Sequence, residues 1–180
     1  MPGKLKGKDG LKKEYDRKVP CDCVKDIEEV KCDDVGGKPL FVFCGQGGNA
    51  QFSSPNEPPV NIASVTVEGR GLKKPLVKIK FSSVINLTTP DGNDPQALLT
   101  FRLFRICDGG ISIPLNNWTY EVFNINNVSN PLRFIDSFVF LFCDRLNNSR
   151  LCDYFVEVSI DNLVNATISI DNVQIHAIAQ

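Results

Sequence analysis

The stretch LVKIKFSSVINL, Leu76 to Leu87, sets Val77, Ile79 and Phe81 on one face and Lys78 and Lys80 on the other. A period of two is the mark of a β-strand with one buried side. Runs of similar length recur at Val60–Val67, Leu98–Cys107, Trp118–Phe123, Phe134–Cys143, Tyr154–Ile160 and Ala166–Ile178. Turn residues separate them, among them TPDGNDPQ and Asp108-Gly109-Gly110. Upstream, Leu40–Cys44 is an apolar burst and GQGGNAQFSSPNEPP reads as loop. No convincing helical periodicity interrupts the series. Strands of this length and spacing predict an all-β protein, an antiparallel β-sandwich. About eight or nine strands favour a jelly roll over a smaller Greek key.

One strand departs from simple alternation. In RFIDSFVFLFC, Phe134, Phe138, Phe140 and Phe142 share one face, and Ile135, Val139 and Leu141 share the other. A strand apolar on both sides in a two-layer fold is covered by a loop or by a neighbour. Near the end, Ser-Ile-Asp-Asn occurs at 159–162 and again at 169–172. The pair reads as two strand ends, each followed by a similar Asp-Asn turn.

The first part of the chain has a different texture. Residues 1–18 carry Lys4, Lys6, Lys8, Lys12, Lys13, Arg17 and Lys18, interspersed with glycines. This is a flexible basic arm, and with Tyr15 its only aromatic it reads as a solvated tail rather than a nucleic-acid binder. Residues 21–34 turn acidic, with Asp22, Asp26, Glu28, Glu29, Asp33 and Asp34. There Val24, Ile27 and Val30 fall at i, i+3 and i+6, a spacing that fits a short helix or a coil. The chain divides into a connector arm, 1–36, and a sandwich domain, 37–180.

Composition narrows the classes. The net charge is −1, so no global field favours nucleic acid or an anionic membrane. Phe138 to Phe142 falls far short of the ~20 residues that span a bilayer. MPGKLKGKDGLKKEYDRK has a basic start but no apolar h-region, so no cleaved secretory signal is expected. The only histidine is His176, and no G-x-S-x-G elbow is present. Gly45-Gln46-Gly47-Gly48 lacks the Lys and the helix of a phosphate loop, and Asp91-Gly92-Asn93-Asp94 lacks EF-hand spacing. A non-enzymatic protein is expected, with no cofactor and no metal. Asn86, Asn117, Asn127, Asn147 and Asn165 head N-x-S/T sequons, read here as Asn-rich turns beside Ser- and Thr-bearing strands.

Seven cysteines are many for a cytosolic protein, and an odd number leaves at least one for a ligand or another chain. Cys21, Cys23, Cys32 and Cys44 are spaced C-x-C-x8-C-x11-C, with no second close pair and no nearby His for zinc. No C-x-x-C redox motif occurs. Cys107, Cys143 and Cys152 sit at strand ends and are further disulfide candidates. Cys143 and Cys152 bracket DRLNNSRL and would face each other across a hairpin mouth. A Cys-x-Cys pair closes on itself only with ring strain, so each sulfur of Cys21 and Cys23 looks elsewhere. Intermolecular cross-linking is the leading use, with Cys32 and Cys44 as further candidates.

LVKIKFSSVINL, LLTFRLFRICDGG, IPLNNWTYEVF, DSFVFLFCD, LCDYFVEVSI and ATISIDNVQIHAIA resemble a family of uncharacterised cysteine-containing β-sandwich proteins from clostridia, over about residues 60–180. In overall design the chain is also similar to the endospore appendage (Ena-type) fibre subunits of bacilli. That resemblance implies a jelly roll whose N-terminal connector, here bearing Cys21 and Cys23, forms disulfides with neighbouring subunits. The arm of this chain is longer and more basic than that design implies.

These readings lead to a structural subunit that assembles with itself into a disulfide-cross-linked filament. Sheet edges would pair and the arm would insert into a neighbour. The expected place is extracellular or the spore surface, with an anchoring surface protein as a further partner. The alternative is a jelly-roll module that binds carbohydrate or coat, with Trp118, Tyr120 and Asn-rich loops lining a sugar site.

Overall fold

A computed structural model describes residues 40–69, 72, 74–89, 94–123, 132–147 and 151–180. The connector arm expected over 1–36 lies outside them, as do Cys21, Cys23, Cys32 and Asn127. The alternation read in LVKIKFSSVINL runs the whole of β5 (Leu76–Thr89). Val77, Ile79, Phe81, Ile85 and Leu87 are fully buried, while Lys78, Lys80, Ser82, Val84 and Asn86 stand half-buried on the other face. The other strands are β1 (Phe41–Cys44), β2 (Gln46–Gly47), β3 (Ala50–Phe52), β4 (Val60–Glu68) and β6 (Gln96–Cys107). After them come β7 (Ile113–Val122), β8 (Leu132–Arg145), β9 (Leu151–Val164) and β10 (Thr167–Ala179).

The strands form two antiparallel sheets. Sheet I runs β1-β10-β5-β8, with β3 also paired to β10, and sheet II runs β2-β4-β9-β6-β7. First-half and second-half strands interleave in both sheets, which is the connectivity of a jelly roll. The expected all-β sandwich is therefore the observed fold. Its core is dominated by aromatic and branched side chains from the inner faces. Phe81 packs on Phe101 at 5.8 Å and on Phe140 at 4.9 Å between ring centroids. Phe101 stacks on Phe138 at 4.2 Å.

The first strand of the jelly roll is split. β1 lies against the end of β10 (Phe41 opposite Ala179) and β3 against its beginning (Phe52 opposite Ile168). Between them the chain leaves sheet I, and β2 pairs with β4 of sheet II. The GQGG stretch, read as loop, is this crossing. The Gly45 amide donates to Ile175 O at 2.9 Å in sheet I, and the Gly48 amide donates to Ile62 O at 2.8 Å in sheet II. A Cβ on Gly45 would come within 2.3 Å of Ser64 O, and one on Gly47 within 1.8 Å of Val173 O. Glycine is required here for close approach of backbones, not for a phosphate.

The Ser-Ile-Asp-Asn pair also differs from its sequence reading. Both copies lie inside strands, not at turns. Register shifts place an extra residue near Asp161, where Leu98 opposes Asn162 and Leu99 opposes Ile160, and another after Asp171. Each is a β-bulge. Asn172 takes a positive φ of 50° there, a conformation Asn tolerates well. In each copy the serine hydroxyl donates to the Asp two residues on, Ser159 to Asp161 at 3.2 Å and Ser169 to Asp171 at 2.8 Å. Each Asp also accepts from the adjacent strand, from Thr100 in sheet II and from Asn86 in sheet I. The sequence repeat encodes one kink used once in each sheet.

Candidate functional site

Sheet I ends at β8, and that strand combines three properties. It pairs with β5 in register from Leu132 opposite Thr89 to Arg145 opposite Leu76, with no bulge. Among the described residues it has a strand partner on that side only. Its middle, Ser137 to Cys143 (SFVFLFC), contains no charge, proline or glycine. Phe138, Phe140 and Phe142 turn into the sandwich, while Ile135 and Val139 are 55% and 52% exposed on the outer face. The strand apolar on both faces is thus an edge strand whose inner face is core. The opposite sheet's edge, β7, is blunted by comparison: it carries Pro114 and a register shift opposite Leu103 and Phe104.

The outer face of sheet I can be read row by row from the strand register. One row holds Val42, Ile178, Lys78 and Cys143; the next holds Cys44, His176, Lys80 and Leu141. Farther along, Ser169, Asn86 and Ile135 align, then Thr167, Thr88 and Arg133. This second end is polar and hydrogen-bonded. Asn86 donates to Asp171 at 2.9 Å and accepts from Arg133 at 3.3 Å, and the Thr88 and Thr167 hydroxyls share a bond at 2.6 Å. They line a groove of ≈ 380 Å³. At the first end, His176 Nδ1 is buried without a hydrogen-bond partner among the described residues. Burial, and after it the Lys80 charge, hold this histidine below its ordinary pKa of 6.5.

Where the two sheets meet near Cys107, a polar trio bridges them. Arg105 Nη1 lies 2.6 Å from Asp144 Oδ2, and the Tyr154 hydroxyl donates to the same oxygen at 2.8 Å. The ion pair is largely buried, its side chains 19% and 11% exposed. Burial, and then the Asp144 charge, push the Tyr154 hydroxyl well above its usual range, so it remains a donor at physiological pH. Next to the trio, Cys107 and Cys152 form a disulfide between β6 and β9, with Cα atoms 4.1 Å apart. One step outward the Asp108 amide donates to Leu151 O at 2.8 Å and the Leu151 amide donates to Asp108 Oδ1 at 3.0 Å, so the bridge sits at a non-hydrogen-bonded pair, where facing Cα atoms come closest.

The disulfide corrects the sequence reading of a Cys143–Cys152 bridge. Cys152 points inward on β9 of sheet II, while Cys143 points outward on β8 of sheet I; the connecting loop joins sheets, not neighbours. Cys143 is nevertheless disulfide-bonded. Cys44 is half-buried on β1. Among the described residues no group of three or more His, Cys, Asp or Glu is placed to hold a metal ion. No helix there is long and apolar enough to cross a membrane.

Trp118 and Tyr120 do not line an open sugar platform. Trp118 stacks on Phe140 at 3.8 Å, and Tyr120 contacts Phe138 edge-on and donates to Asp136 at 3.2 Å. They close the gap between β7 and β8. The outer face of sheet II instead carries Phe104 stacked on Phe155 at 5.1 Å, beside the Arg102–Glu157 pair at 3.4 Å. The sequence held a signal for this pair: both are apolar at outward positions of otherwise alternating strands. Asn86 and Asn117 lie within strands, not turns, whereas Asn165 is in the β9–β10 connection.

A family model describing a domain of unknown function, DUF4489, matches residues 38–180. The chain belongs to this family. No curated protein matches the chain. Solved structures similar to the DUF4489 domain are β-rich. One is the Eiger TNF of S. frugiperda, at 11% identity and TM-score 0.41, covering 79% of this chain and 93% of that one. Another is the CBM22-1 xylan-binding domain of Paenibacillus barcinonensis Xyn10C, at 14% identity and TM-score 0.33, covering 74% and 83%. A third, from infectious bursal disease virus strain Gx, has 10% identity and TM-score 0.33 and covers 79% and 37%.

Proposed function

We propose that this DUF4489 protein is a non-catalytic structural subunit that assembles with itself into a disulfide-cross-linked filament on an extracellular or spore surface. The observation that supports this reading is β8: a 14-residue edge strand, unbulged, uncharged at its centre and apolar on its outer face. Monomeric proteins blunt such edges with charge, proline or bulges, because an open row of N–H and C=O groups templates pairing with another chain. Pairing of β8 with an edge of the next subunit gives a head-to-tail contact, and a contact of that kind that does not close grows into a fibre. Cys21 and Cys23, on the arm, then supply cross-links, with a surface protein as anchor. Electrophoresis with and without reductant, followed by negative-stain microscopy, tests the reading. The expected result is a ladder that reductant collapses, and fibres in the micrographs. A single monomer band in both lanes, with no fibres, refutes it.

A carbohydrate-binding module is the second reading, supported by Phe104 and Phe155. Phe104 and Phe155, half-buried and stacked on one another on the outer face of sheet II, put aromatic surface next to the polar Arg102 and Glu157, the combination that carbohydrate recognition uses. Retention on insoluble polysaccharide that Phe104→Ala abolishes favours this reading over the first.

A further inference from the structure

Cys143 is disulfide-bonded, and its partner is none of the other cysteines of the β-sandwich. Cys107 and Cys152 are joined to each other. Cys44 lies on β1, three strand spacings from β8 across β10 and β5. At ~4.8 Å per spacing this is about 14 Å, twice the ~7 Å between Cα atoms that a disulfide spans. Of the seven cysteines, that leaves Cys21, Cys23 and Cys32.

Around Cys143 the outer face of sheet I has a definite chemistry. In its own row lie Lys78, Ile178 and Val42, and in the next row Leu141, Lys80 and His176. Arg145 is exposed at the end of the same strand. Val139 and Val42 are 52% and 41% exposed. The surface is therefore basic and apolar at once, with a sulfur in it. Residues 21–34, CDCVKDIEEVKCDD, hold six carboxylates, the apolar Val24, Ile27 and Val30, and three cysteines. Charge, apolarity and thiol content are complementary to the face. The lengths agree too: from Cys32 to Leu40 is eight residues, an extended reach of about 26 Å. That exceeds the ~14 Å from β1 to β8.

We infer that the acidic segment 21–34 of the chain straps the outer face of its own sheet I, held by a disulfide from one of its cysteines to Cys143. Closing this bond oxidises two thiols, and a small-molecule disulfide accepts the two electrons and two protons and leaves as two thiols. The strap takes one of the three arm cysteines and leaves two for neighbours. It stands whether or not the protein polymerises, because the bond lies within one chain.

The test is non-reducing peptide mapping of the full-length protein, prepared as an equal mixture of ¹⁴N and ¹⁵N chains oxidised together. Cleavage after Lys25 separates Cys21 and Cys23 from Cys32, and chymotryptic cleavage after Phe41 or Phe43 separates Cys32 from Cys44. The expected product is a Cys143 peptide linked to a peptide of segment 21–34, with both halves carrying the same isotope. Mixed-isotope pairs, or Cys143 recovered as a thiol, overturn the strap. Docking is read separately, in the disulfide-linked protein, by the tryptic cleavage rate after Lys25 and Lys31. Lys78→Glu with Lys80→Glu is expected to raise that rate several-fold with the melting temperature of the sandwich unchanged. An unchanged cleavage rate overturns the electrostatic complementarity.

Discussion

At the scale of single residues, the most demanding positions are small ones. Gly47 lies so close to the Val173 carbonyl that even a methyl group has no room. The obstacle is backbone, which cannot swing aside as a side chain does. Gly47→Ala is therefore expected to cost about 3 kcal/mol or more of stability, measured as a lower midpoint in urea unfolding. Val173→Ala is not expected to rescue it, because the collision is with the main chain. His176 makes a second residue-scale prediction. Its pKa in the folded protein is held below 6.5 by burial and by Lys80, with Cys44 on β1 beside it in register. The unfolded chain thus binds the proton more tightly, and stability falls as pH drops through 6.5 and below. The melting temperature should decline between about pH 7.5 and about pH 5. His176→Gln should flatten that decline, and an equally steep slope in the variant would assign it to other groups.

At the scale of elements, β8 carries the functional proposal. Val139 faces outward and is half exposed, so Val139→Lys leaves the core intact and puts a charge at the centre of the edge strand. Charge at this place is the device by which natural sheets discourage edge pairing. Its expected effect is loss of large assemblies in sedimentation, with the melting temperature of the monomer unchanged. Alternation in the sequence was enough to find β4, β5, β6 and β10, because each buries one face and wets the other. β8 was legible as a strand but not as an edge, since apolarity on both faces is equally the pattern of a covered central strand. The two Ser-Ile-Asp-Asn segments misled because Asp-Asn favours turns and bulges alike. Only cross-strand register, which depends on distant residues such as Thr100 and Asn86, separates the two outcomes.

At the scale of the whole molecule, polar clamps and the disulfide hold elements that hydrophobic burial alone would leave free to slide. The Arg105–Asp144–Tyr154 trio joins β6 and β9 of sheet II to β8 of sheet I. Asp144→Ala would leave the Arg105 charge mostly buried without its carboxylate, a loss of about 3 kcal/mol. Tyr154→Phe should cost less, since the ion pair survives. Urea unfolding of both variants checks the order, and equal losses would point to packing instead of charge. None of this was visible in the sequence: Arg105, Asp144 and Tyr154 are far apart along it, and no motif joins them. The disulfide was half visible. Strand-end cysteines at 107, 143 and 152 marked the candidates, but the choice of Cys107 for Cys152 depends on which strands share a sheet. Local spacing pointed to Cys143, and the jelly-roll connectivity overruled it.

The divided first strand has a mechanical consequence. Phe41 lies opposite Ala179 and Cys44 opposite His176, so a pull along the strand axis from the arm side strains the β1–β10 ladder as a whole, in shear. Beyond β1 the chain is anchored through Gly45 to Ile175 in one sheet and through Gly48 to Ile62 in the other. Tension entering at Leu40 along the strand axis is thereby shared between both layers.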